Sequence, residues 1–438
     1  MRLISTLICL CLVLLSISVQ AQDNDVRNIF FDTLRTGDVR PTPIAVEGMK
    51  YIGTQYISAG DSTIMEYTTG VIRRDIDFFA DFDLIQVDSF YLKTYEIKEL
   101  DLLGWTRLGA TYVVRLEAEF PGGQFRVRWR LFDAARKQEI AKGNEEGDRY
   151  AWRILAHDVA NEIVRTLTGE RGIFRTQIAY MRKIGNAKEL FIADYDGANE
   201  RQLTKLGTIC VSPYFSPNRD EIYFISYRDG DPQLYKVGTN GGKVTKLTKY
   251  PGSVSAPAVS PDGNKIACSL TKDGNSEIYV LDTDGKVIKR LTEQPDIETA
   301  PTWSPDGRLI AFTSDRTGAP QIYIMDADGF NVRRLTFEGG YNDSPIWSAR
   351  GDRVTFVSRT KTGRFDLASI DTSGSDYRIM TEVGMNENPH FSPDGKQIVF
   401  TSTRFGPGDI YTADLSGRNQ RRLTRSGDCS NPCWGPIR

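Results

Sequence analysis

The sequence predicts two domains: a small N-terminal α/β domain, then a six-bladed β-propeller closed by a strand from the C-terminus. Three observations carry this. A proline recurs at Pro213, Pro257, Pro301, Pro345, Pro389 and Pro432, at intervals of 44 residues and finally 43. No recurrence of this kind precedes residue 171. The chain closes on "SNPCWGPIR", the opening of one more unit and nothing further. A period in the low forties made of strand-like segments is that of propeller blades.

One unit, "PTWSPDGRLIAFTSDRTGAPQIYIMDADGFNVRRLT" (301–336), shows why each element forms. Ser304-Pro305-Asp306-Gly307 is a turn: proline presets φ, aspartate bonds nearby backbone and glycine accepts positive φ. "RLIAFTS" and "QIYIMD" are apolar runs rich in β-branched and aromatic residues, as buried strands are. Asp326-Ala327-Asp328-Gly329 is a second turn, and the unit ends on a Leu-Thr pair. Each unit therefore holds four strands, A before the first turn, B and C between the turns, and D last. The first unit, from about residue 174, supplies B, C and D without an A, and the C-terminal fragment supplies only an A. Placed together they complete the sixth blade and leave no open sheet edge.

Residues 22–170 form the other domain. Tyr112, Val114, Leu116, Ala118 and Phe120 alternate with polar residues, as do Phe125, Val127, Trp129 and Leu131, predicting a half-buried hairpin. Arg126, Arg128 and Arg130 line its wet face beside Glu117 and Glu119 and are expected to pair with them. Helices are expected near 62–79 and over 150–168, the latter stopped by Gly169. The first 21 residues, "MRLISTLICLCLVLLSISVQA", read as a secretory signal cut after Ala21, with an uncleaved anchor as the alternative. A net charge of −2 supplies no field for nucleic acid or anionic membrane, and no other segment is apolar enough to span a bilayer. A soluble, exported protein is expected.

The chemistry of catalysis is missing. The chain has two histidines and no Gly-X-Ser-X-Gly elbow. His157 is expected on the flank of the second helix, and His390 as a packed or channel-facing residue of a strand A. The Asp-X-Asp-Gly loops at 194–197, 282–285 and 326–329 lack the further oxygens of a calcium loop, so hairpin turns are expected and neither metal nor cofactor.

In an up-and-down blade the A–B and C–D turns share one face, and the B–C and D–A loops the other. The first face carries the repeated turns. The second carries the segments that differ between units, with Arg228, Lys272, Arg316 and Arg404 in its B–C loops. Residues free to vary on one rim are binding candidates. The whole rim with the channel mouth is therefore expected to bind a protein or peptide.

With "LTGERGIFRTQIAY" at the junction, six PD40-type repeats and a terminal "NPCWGP", the chain resembles the TolB family of periplasmic propeller proteins over nearly all of its mature length. The resemblance implies a protein without catalytic activity, a monomer within heteromeric complexes. Its propeller would bind the peptidoglycan-associated lipoprotein Pal, and its extreme N-terminal segment the inner-membrane protein TolA. The system would support outer-membrane integrity and constriction at division, and colicins would exploit it for entry. By position, the Pal-binding rim falls on Ser212, Ser255, Ala256, Thr299, Ala300, Asp343, Ser344, Glu387 and Asn388. The TolA-binding arm falls on about 22–32, including Gln22, Asp25, Val26, Arg27 and Ile29. Two other readings stay open. A prolyl-oligopeptidase-like propeller predicts an attached domain with Ser, Asp and His, whereas this chain stops at Arg438; the other is a carbohydrate- or small-ligand-binding propeller.

Cys210 lies three residues before Pro213 and Cys429 three before Pro432, equivalent positions of neighbouring blades. In an oxidising compartment this predicts a Cys210–Cys429 clasp, with Cys429–Cys433 as the alternative. Cys268, in "KIACSL", is expected as a buried free thiol.

Overall fold

The computed structural model describes residues 41–54, 56–86 and 101–437. The signal segment and the arm residues Gln22, Asp25, Val26, Arg27 and Ile29 lie outside them. No helix among the described residues is long and apolar enough to cross a membrane.

The N-terminal domain is one sheet covered by two helices. Its strands are β1 (Thr42–Val46), β2 (Lys50–Tyr51), β3 (Phe82–Leu84), β4 (Tyr112–Glu119), β5 (Gln124–Asp133) and β6 (Gln138–Asp148), in the order β3-β1-β4-β5-β6 with β2 beside β4. The long helices are α1 (Ala59–Phe78) and α3 (Trp152–Thr168), with the short α2 (Leu102–Arg107) between them in sequence. The Ser58 side chain caps α1, and Gly169, at φ 75°, ends α3 in the left-handed region. The β4–β5 hairpin pairs as its alternation predicts: Phe125, Val127, Trp129 and Leu131 are buried, and Arg126 and Arg128 meet Glu119 at 2.6 Å.

Six four-stranded blades follow. Blades 2 to 6 open with strands A at Cys210–Phe215, Val254–Val259, Glu298–Trp303, Asn342–Trp347 and Asn386–Phe391. Blade 1 takes its strand A from Cys429–Trp434, which pairs antiparallel with Gln177–Ile184. The unfinished terminal unit thus closes the ring.

The recurrent threonine now has a reason. In every blade its hydroxyl oxygen accepts the N–H of a residue in the first half of strand C at 2.9–3.0 Å, from Leu190 onto Thr204 through to Ile410 onto Thr424. In five blades the same hydroxyl donates to the side chain of the residue just before that N–H: Glu189, Gln233, Gln321, Asp366 or Asp409. This staple holds strand D to strand C where their ladder is only two residues long in most blades.

The domains share a core. Phe78, Phe79, Val159 and Ile163 of the helices belong to the same apolar cluster as Ile178, Tyr180, Val399, Ile410 and Trp434 of the propeller. Polar contacts rim it: Gln397 Nε2 donates to Phe78 O at 2.9 Å, Lys396 pairs with Glu170 at 2.8 Å, and Arg421 with Asp77 at 2.9 Å. His157 therefore does not sit on a helix flank. It is 4% exposed, with Nδ1 2.7 Å from Asp75 Oδ2, while the Tyr195 hydroxyl donates to Asp75 Oδ1. The propeller covers a second face of α3, which the period of a single helix does not encode. Burial, the largest influence, raises the Asp75 carboxyl above its ordinary range against both donors.

The cysteine clasp does not form. Cys210, Cys268, Cys429 and Cys433 are all free and buried, so Cys210–Cys429 and Cys429–Cys433 are both corrected. Cys210 packs with Leu190, Ile222 and Cys433, its thiol 3.6 Å from Ser226 Oγ. Cys429 packs with Tyr180, Phe191 and Trp434, 3.3 Å from Ser426 Oγ. The step from blade to blade carries one cysteine onto the other, so their side chains point the same way around the ring rather than at each other. Cys268 is buried and free as expected.

Candidate interaction face

The N-terminal domain stands on the face of the repeated turns. Its contacts come from Lys396 in an A–B turn and from Tyr195, Asp196 and Asn419 in C–D turns. The face of variable D–A and B–C loops is opposite, and it has a built centre.

The third residue of each strand A, just before its proline, is forced into the left-handed region: Ser212 (φ 52°), Ala256 (47°), Ala300 (49°), Ser344 (55°), Asn388 (53°) and Asn431 (51°). Proline offers no N–H to the ladder, and the pairing with strand B breaks its register at this point in all six blades. For alanine or serine this conformation costs about 1–2 kcal/mol per residue, which the closed ring sustains. These six residues and their prolines line the channel mouth, a cavity of about 130 Å³. Ser212, Ala256, Ala300, Ser344 and Asn388 of the predicted rim are thereby brought together.

Ser255, Thr299, Asp343 and Glu387 sit one residue further out, each paired with strand B. Glu387 is pushed up from its ordinary range by burial and then by the charge of Asp343 on the adjoining blade, so this sector of the mouth is acidic. Below the mouth a ring of Tyr214, Thr302, Ile346, His390 and Cys433 narrows the channel, above a cavity of about 220 Å³ walled by Trp303, Trp347 and Trp434. His390 faces this channel, Nε2 3.3 Å from Cys433 Sγ, and burial lowers its imidazole to about 4.

The rim carries apolar residues that sequence reading missed. Ile209, Ile297 and Met385 occupy equivalent places just outside strand A on alternate blades, each carbonyl accepting the first N–H after strand B at 3.0–3.3 Å. They are 44%, 50% and 40% exposed, and Phe337 and Phe405 nearby exceed 60%. A large apolar residue inside an otherwise polar loop ("EQPDIETA", "EVGMNEN") was the available signal. Exposed apolar side chains collected on one face mark interaction sites.

The predicted basic residues divide. Arg228 is exposed. Lys272 lies 2.7 Å from Asp273. Arg316 folds back onto its own blade, 2.9 Å from Glu298 and over the Tyr323 ring at 4.9 Å. Arg404 does likewise, with Ser402 Oγ at 2.9 Å and the Tyr411 ring at 4.5 Å. These last two serve the blades directly.

Such a molecule is a six-bladed propeller of PD40-type repeats with an α/β domain on its turn face and an open, apolar-rimmed channel mouth on the other. Residues 164–438 match the family model described as the TolB beta propeller domain, and 33–140 that of the TolB amino-terminal domain. The chain belongs to the TolB family. It is 54% identical over 349 residues to Tol-Pal system protein TolB 1 of Novosphingobium aromaticivorans, covering 78% of this chain and 77% of that one. It is 32% identical over 229 residues to the TolB of Ruegeria sp., about half the length of each chain. A crystal structure of TolB from Acinetobacter baumannii superposes with TM-score 0.79 at 26% identity, covering 91% of this chain and 97% of that one.

Proposed function

We propose that this chain is the non-catalytic periplasmic scaffold of a Tol-Pal system. Its propeller holds a Pal-type peptidoglycan-associated lipoprotein at the channel mouth, and its N-terminal arm, about 22–32, engages TolA. The observation that carries the reading is the open face: a closed ring of left-handed residues around the mouth, edged by exposed Ile209, Ile297, Phe337 and Met385, opposite the domain-covered face. Rigid, pre-ordered backbone with apolar anchors lowers the ordering cost of binding. A hydrolytic role lacks its parts, since His157 is sealed between the domains against Asp75 and His390 faces Cys433 in the channel. The role in envelope integrity and constriction follows from membership of such a complex.

Calorimetric titration of the mature chain with the periplasmic domain of its own organism's Pal tests this. Ile297→Asp and Phe337→Asp are expected to weaken binding about 30-fold or more, the scale of a lost hot spot. Phe330→Asp, on the turn face, should leave affinity within about twofold. No binding by the parent, or equal losses from both faces, rejects the reading. Deleting residues 22–32 should abolish TolA binding and leave Pal binding intact.

A further inference from the structure

The residues that follow the six strand-A prolines meet at the waist of the channel: Tyr214, Ala258, Thr302, Ile346, His390 and Cys433. Each blade supplies one of them, so closure of the ring sets the members from blades 6 and 1 side by side. Cys433 Sγ lies 3.3 Å from His390 Nε2, and the Tyr214 ring of blade 2 stands edge-on to the imidazole with centroids 5.4 Å apart.

The backbone fixes the imidazole. Its Nδ1 is 3.0 Å from Phe391 O, while the Trp434 N–H approaches the same atom only to 3.3 Å. The carbonyl is the nearer partner, so Nδ1 carries the proton and donates to it. This leaves the lone pair on Nε2, the atom that faces the sulfur. A backbone carbonyl on one ring nitrogen that frees the other is the usual outer support of a metal-binding histidine. The pair is also within reach of the channel, since His390 lines both of its cavities and Cys433 the lower one. Cys210, Cys268 and Cys429 are buried instead in the apolar clusters of their blades. No charged side chain lines either cavity.

We propose that Cys433 Sγ and His390 Nε2 form a binding site for a soft monovalent cation of the Cu(I) class. The Cu(I)–S bond forms as the S–H bond breaks, the proton leaves to solvent, and the oxidation state of copper does not change. At ordinary metal–ligand lengths, about 2.3 Å to sulfur and about 2.1 Å to nitrogen, an ion bridging a 3.3 Å pair is held at a bent angle of roughly 100°. Two protein donors are too few for Zn(II), whose sites use three or four. Thiolate is a soft ligand and favours Cu(I). Charge selects the same way. A thiolate with a monovalent ion is neutral, whereas a divalent ion keeps a net positive charge in a channel that offers no carboxylate to balance it. The site does not depend on the function proposed above.

The mature chain, kept anaerobic, is titrated against Cu(I) buffered by bicinchoninate, and the fading of the coloured chelate counts the ions withdrawn. One ion per chain is expected. Cys433→Ser and His390→Gln should each weaken binding about 100-fold or more, since losing an outer support alone costs about 10–100-fold. Cys268→Ser, inside blade 3, should leave both count and affinity unchanged. Circular dichroism checks that each variant is folded. Should a channel variant fail to fold, X-ray absorption at the copper edge of the parent complex decides, with one sulfur and an imidazole nitrogen expected at the metal. No withdrawal by the parent, binding retained in Cys433→Ser, an equal loss in Cys268→Ser, or two sulfur neighbours overturns the site. Binding that survives His390→Gln means a lone thiolate and overturns the pair. Zn(II) added alone should not displace Cu(I); displacement refutes the selection by charge.

Discussion

Trp434 joins three parts of the molecule, so its removal measures how far they depend on one another. It ends the strand that closes blade 1, its indole Nε1 donates to Thr176 Oγ1 at 2.8 Å, and its ring lies 6.3 Å from Phe78 at the end of α1. It is 3% exposed within the cluster spanning both domains. Trp434→Ala removes a buried indole, about 3–5 kcal/mol, and leaves the Thr176 hydroxyl without its donor, about another 1 kcal/mol. Against a typical stability of about 5–15 kcal/mol that is a large share. The assay is urea denaturation followed by far-UV and near-UV circular dichroism. The parent is expected to unfold with coincident transitions because the domains share a core. The variant should lose about 4–6 kcal/mol and show separated transitions. Trp434→Phe, which keeps the ring and loses the hydrogen bond, should lose less than half as much. A loss below about 1 kcal/mol with coincidence retained would refute the view that closure and docking are one unit.

Thr336→Val removes a staple and strands the Ile322 N–H, while Gln321 Oε1 keeps its bond from the Asn342 amide; a loss of about 1–3 kcal/mol is expected, read from the shift in urea midpoint. Ala300→Gly relieves left-handed strain of about 1–2 kcal/mol at a backbone-entropy cost of about 0.5–1 kcal/mol, so the thermal midpoint should hold or rise slightly. Ala300→Val should lower it. His390, held near 4 in the fold against 6.5 in the open chain, stays neutral while the unfolded state takes up a proton. Its contribution is present above about pH 6.5 and lost as pH falls toward 4, on the order of 3 kcal/mol. Stability measured across this range should fall less steeply in His390→Gln than in the parent.

The repeat period, the SPDG turns and the split blade determined the ring and its closure from sequence alone, because turn chemistry and strand alternation are local and each unit restates them. The helices at Ala59–Phe78 and Trp152–Thr168 and the inward set of β5 were legible for the same reason. The rim too could be placed on one face by counting strands. Tertiary structure decided everything that needs two distant segments at once. It seated His157 against Asp75, turned Cys210 and Cys429 away from each other, and folded Arg316 back onto Glu298. It also set the left-handed backbone before each proline. A sequence shows which side chains a strand presents; which partner meets each of them depends on the rotation of one blade upon the next and on the domain that covers the ring.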